Sequence, residues 1–201
     1  MASAIGLTFV VAIVAGMAAM ADSPFTLFPA VLGAGLLVAA LDANDAAAAA
    51  TPFEVILLGC LGIAFAVVFD VPALAVALPL FLGAIDVAQA LGGGSAGLFT
   101  LSTSKPGDVL TLDLPDWGTG LAAARLSATD VLVLGAFAAY ARRLRLRERA
   151  AEIGMLVGLL AAVASEVLLD TELPTIALMA LGYLAPNVDR LGTLFARPAD
   201  E

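Results

Sequence analysis

Asp86 and Asp130 are the residues whose type and setting most demand a chemical account. Asp86 lies near the end of an apolar run, in "GAIDVAQAL", and Asp130 lies near the start of another, in "SATDVLVLGAF". Carboxylates in such runs are costly unless they face a protein interior or a water-filled cavity. Two placed side by side cannot both ionise cheaply: the first proton leaves easily and the second is held, so the pair presents one base and one acid. One member can then activate a water molecule while the other protonates a leaving amine. Taken singly, each acid reads first as an interfacial or helix-joining residue. The pairing reverses that order.

The elements that must position them are membrane spans. The chain has 201 residues, 62% hydrophobic and 13% charged, with a mean hydropathy of +1.04, outside the range of soluble domains. Its net charge is −9, yet five of its nine basic residues, Arg142, Arg143, Arg145, Arg147 and Arg149, form one cluster, and Arg190 and Arg197 lie near the C-terminus. That clustering reports topology and not nucleic-acid binding. The absence of histidine excludes zinc proteases of the His-Glu-x-x-His type and serine chemistry with a histidine base, so hydrolysis would have to run on carboxylates. No metal or cofactor is expected. Cys60 reads as a small buried hydrophobe.

A span needs roughly 20 helical residues, and the breaks set the count. The first run covers about 4 to 21, without a basic leader, and is read as a retained span. The second covers about 26 to 41. The alanines at 46–50 read as a flexible or weakly helical connector. Residues 53–91 as one helix would extend about 58 Å, so they must turn back at Phe69-Asp70-Val71-Pro72, giving spans at about 53–69 and 72–91. Further spans fall at about 121–141, 152–169 and 174–189. The expectation is an all-α polytopic membrane protein of about seven helices. Residues 1–52 form a two-helix N-terminal part and residues 53–201 a five-helix core, within a single membrane domain. The positive-inside rule puts the arginine cluster in the cytoplasm, the N-terminus outside and the C-terminus inside, in the cell membrane.

The outer segment 92–120 contains two β-type runs, Phe99–Thr103 and Val109–Leu114, around a Lys105-Pro106-Gly107-Asp108 turn, which reads as a hairpin rooted at Gly92, Gly93 and Gly94. Asp86 precedes the end of its span by five residues, and Asp130 follows Arg125, a residue able to snorkel to the interface, by five. Both carboxylates then fall about 7 to 8 Å inside the same face. Matched depth permits contact. An exposed strand edge beside them would hold an unwound substrate by strand addition.

This pattern resembles the GxGD intramembrane aspartyl proteases, the presenilin and signal peptide peptidase family. There a Tyr-Asp pair near one span's end precedes a long loop, a Gly-x-Gly-Asp at the next span's start, and a Pro-Ala-Leu motif opening the last. The corresponding residues are Ile85-Asp86, then Ser127-Ala128-Thr129-Asp130, then Pro174-Thr175-Ile176. The resemblance covers about 120 residues, from Pro72 to Leu191. It implies a presenilin-like helix arrangement, Asp86 and Asp130 as catalytic residues, and substrate-positioning roles for Ser127, Ala128, Thr129, Pro174, Thr175 and Ile176. It also implies single-span membrane peptides as substrates and the lipid bilayer as surroundings. The motifs depart from the family's: Ile85 stands for tyrosine, Ser127 and Thr129 for glycines, and Thr175-Ile176 for Ala-Leu.

Those departures keep two rivals in view, a catalytically inactive presenilin-like scaffold and a proton-coupled transporter in which Asp86, Asp130 and Glu166 form a relay. Glu166 is also a candidate accessory acid. Pro174 reads equally as a proline in a first helical turn, and Pro79 as a kink in its span. Asp70 is assigned to the cytoplasmic turn, and Asp22, Asp42, Asp45 and Glu54 to solvated or interfacial positions beside loops.

Overall fold

The computed structural model describes residues 2–44, 46–91, 111–114, 124–169 and 173–195. Among them the chain forms α1 (Ala2–Met17), a 3-10 turn (Ala18–Asp22), α2 (Pro24–Asp42), α3 (Ala47–Val68) and α4 (Leu74–Leu91). Two short strands follow, β1 (Thr111–Leu114) and β2 (Ala124–Ser127), then α5 (Ala128–Arg143), α6 (Glu148–Leu169), α7 (Thr175–Leu184), a 3-10 turn at Ala185–Asn187 and α8 (Val188–Phe195). Among the described residues, four stretches are long and apolar enough to cross a membrane: Ile5–Asp22, Pro24–Asp42, Ala49–Val68 and Leu74–Leu91. Their outward faces match, since Phe25 and Phe28 of α2 and Phe81 of α4 are 93%, 73% and 63% exposed. Apolar area on that scale is an expected outer surface in lipid and a liability in water.

The core is built around α5. From Val133 to Ala141 every side chain is buried, and the helix packs mainly against α3, with α1, α6 and α7 also in contact. Small residues make this enclosure possible. A Cβ on Gly62 of α3 would collide with the Leu132 carbonyl, and one on Gly135 of α5 with the Gly59 carbonyl, so the two backbones are in direct contact. In the same way α6 and α7 meet where Gly154 and Gly182 face each other.

Several boundaries differ from the expected ones. Ala47–Ala50, expected as a connector, is the first turn of α3, because four alanines ahead of Pro52 propagate a helix well. The fifth helix begins at Ala128 rather than near 121, since Ala124–Ser127 is strand. The last expected span, 174–189, is divided: α7 stops at Leu184, Ala185–Asn187 is a 3-10 turn, and α8 follows. Pro186 lacks the amide an α-helix would need there. A strand pairing not expected from the sequence is present next to α5. β1 runs antiparallel to β2 with Thr111 opposite Ser127 and Asp113 opposite Arg125, so Arg125 belongs to a strand and not to a helix start. Phe99–Thr103, the turn at 105–108 and Gly92–Gly94 lie outside the described residues.

The arginines tie one end of the bundle together. Arg142 pairs with Asp22 at 2.7 Å and with Glu148 at 3.1 Å. Hydrogen bonds to Asp22 first and Glu148 second push its guanidinium above the ordinary arginine range. Arg143 pairs with Asp70 and donates to the Ala21 carbonyl at 2.8 Å. Arg147 pairs with Asp189 at 2.7 Å, while its backbone N–H donates to the buried Asn187 side chain at 2.7 Å. The α1–α2, α3–α4, α5–α6 and α7–α8 connections therefore share this arginine-rich end. Chain direction then places the C-terminal end of α4 and the N-terminal ends of α5 and α7 at the opposite, acid end.

Candidate active site

Asp130 is the third residue of α5, and its position is fixed locally. Ser127, the N-cap, accepts through Oγ from the Thr129 N–H at 3.2 Å, while Asp130 Oδ2 accepts from the Ser127 N–H at 3.2 Å. This reciprocal capping box satisfies amides that the first helical turn leaves without partners. It also makes β2 and α5 one continuous unit, because Ser127 ends the strand and starts the helix. Asp130 is 8% exposed, and its carboxylate sits at the positive end of its own helix dipole.

Asp86 is held by a different device. It lies one turn beyond Gly83, where α4 approaches α7 so closely that a Cβ would stand 3.3 Å from the Ala177 Cα. The Asp86 Oδ2 accepts from the Ala177 backbone N–H at 3.1 Å. Pro174, the N-cap of α7, offers no side-chain cap. Asp86 supplies one from another helix, satisfying an N-terminal amide of α7 and meeting the positive end of that dipole.

The two acids therefore sit at one end of the bundle, each in contact with the start of a helix. Each forms its hydrogen bond with a backbone amide, Asp130 with Ser127 and Asp86 with Ala177. Pro174 and Thr175 are half-buried at the head of α7, Ile176 is buried beside them, and Ala128 and Thr129 lie in the first turn of α5, buried and half-buried. The Glu166 side chain and Asp170 lie outside the described residues. Asp70 lies at the arginine end in an ion pair, as does Asp22.

Two features escaped sequence reasoning. The Ala177 amide is a main-chain donor and leaves no mark in residue type. The Ser127-to-Asp130 box does have a signature, Ser-x-x-Asp ahead of an apolar run, but it was hidden by placing 124–127 inside a span. No family model matches the chain, and no curated protein or solved structure matches it either.

Proposed function

We propose that this protein is a presenilin-like intramembrane aspartyl endopeptidase that cleaves single-span membrane peptides with Asp86 and Asp130 as its catalytic pair. The observation that carries this reading is that Asp86, where α4 ends, holds the head of α7 while Asp130 stands in the first turn of α5, which puts both carboxylates at one end of the bundle. Coupled carboxylates share a proton, so one accepts a proton from water as the other donates to the departing amine. The Ala177 and Ser127 amides keep the two acids aimed. β2 leads straight into the helix bearing Asp130, which suits it to hold an unwound substrate strand near the acids. The reading includes seven spans in the cell membrane, adding α5, α6 and α7 to the four long apolar stretches, with the N-terminus outside and the C-terminus in the cytoplasm.

A second reading, an inactive scaffold, has its own support: each carboxylate already performs a structural task, one in a capping box and one on the head of α7. Reconstitution in lipid with tagged single-span substrates separates the two. Peptide products from the parent chain that vanish in both Asp86→Asn and Asp130→Asn support the protease. No products from a folded parent leave the scaffold, and proton-driven flux without products points to transport.

A further inference from the structure

Both acids lie at one end of the bundle, on helices that barely touch. α4 packs chiefly on α7 and only lightly on α5, and Leu80, Phe81 and Leu91 leave much of its surface exposed. Its tie to α5 lies at its other end, in the turn that joins it to α3. At the arginine end the chain supplies two fastenings, both on α5. The Tyr140 hydroxyl donates to the Phe69 carbonyl at 2.8 Å, and Phe69 is the C-cap of α3, where carbonyls lack helical partners. The Arg143 guanidinium, which also holds the Ala21 carbonyl, pairs with Asp70. Tyr140 is 0% exposed, so its hydroxyl has a protein partner where water is excluded.

We infer that Tyr140 and Arg143 are positioning residues for the acid pair, fastening the α3–α4 turn to the far end of the helix that carries Asp130. From Arg143 back to Asp130 α5 rises about 20 Å, and from Leu74 to Asp86 α4 rises about 18 Å. Two antiparallel rods of nearly equal length, tied at one base, bring their free-end carboxylates to the same level. The Asp86 contact with Ala177 holds the free end of α4 against α7. The role of these residues in a reaction rests on the reading of Asp86 and Asp130 as a working pair; the fastening itself does not.

The test reads geometry directly. In a Cys60→Ala background, nitroxide labels at Leu91 of α4 and Thr129 of α5 report the separation of the acid ends by electron paramagnetic resonance in lipid. The parent gives one narrow distance distribution. Combining Arg143→Gln with Tyr140→Phe shifts or broadens it by on the order of 5 Å, one helical turn. Exchanging the charges, Arg143→Asp with Asp70→Arg, returns the parent distribution, and Arg143→Lys retains it. An unchanged distribution in the double variant overturns the inference, and so does an exchanged pair that stays displaced. If the double variant does not fold, the exchanged pair decides alone. A parent chain that cleaves nothing sinks the protease reading and leaves these distances untouched.

Discussion

Replacing Asp130 by asparagine removes the charge but leaves an oxygen able to accept from the Ser127 N–H. Asp130→Asn should therefore unfold within about 1 kcal/mol of the parent, while the proposed proteolysis should fall by roughly 10² to 10⁴. Asp130→Ala deprives that amide of its partner and should cost about 1–3 kcal/mol besides. Thermal unfolding in detergent beside product formation in lipid separates the two effects, and an Asn variant as active as the parent would remove Asp130 from the chemistry. Ser127→Ala tests the other half of the box, with an expected loss of about 1 kcal/mol. Acid type and spacing were readable in the sequence at this scale. What holds each acid was readable only in part, because Ser127 has a side-chain signature and the Ala177 amide has none.

Helix glycines divide into those that permit contact and those that do not. A Cβ on Gly62 would meet the Leu132 carbonyl, and one on Gly182 the Gly154 carbonyl, whereas nothing lies within 4 Å of one on Gly33. Gly62→Ala and Gly182→Ala should each destabilise by about 1–3 kcal/mol, since backbone cannot yield as a side chain does. Gly33→Ala should be neutral or stabilising by roughly 0.5–1 kcal/mol from helix propensity. Unfolding midpoints of the three variants check the order, and equal losses at all three would refute the close-packed interfaces. The first four helices were legible because unbroken apolar length is a strong signal. The start of α5 was not: Leu126 is as apolar in β2 as it would be in a span, and only pairing with β1 distinguishes the two. Pro186 marks the break after α7, but the apolar run around it reads as one span.

The arginine cluster is the charge asymmetry on which the proposed orientation rests, and the fold gives it a second task. Arg142, Arg143 and Arg147 engage Asp22, Asp70 and Asp189, so the residues expected to keep this end in the cytoplasm also join its connections. Pairing cancels much of the local charge, which leaves the exposed Arg145 and Arg149 as the less neutralised part of the orientation signal. The relative placement of the ends was therefore readable from the arginine cluster, while the pairings needed the fold, because Asp22 and Asp70 are remote from it in sequence. Single cysteines in a Cys60→Ala background can test the orientation in intact cells with a membrane-impermeant maleimide. A cysteine replacing Asn44, beyond the acid end of α2, should be labelled from outside, and one replacing Arg149, at the start of α6, only after the membrane is opened. Replacing Arg145 and Arg149 together should make a fraction of chains label at the Arg149 site from outside, whereas Arg142→Gln should lower the unfolding midpoint with less inversion. Outside labelling at Arg149 in the otherwise unaltered chain would reverse the orientation and place the acid end toward the cytoplasm.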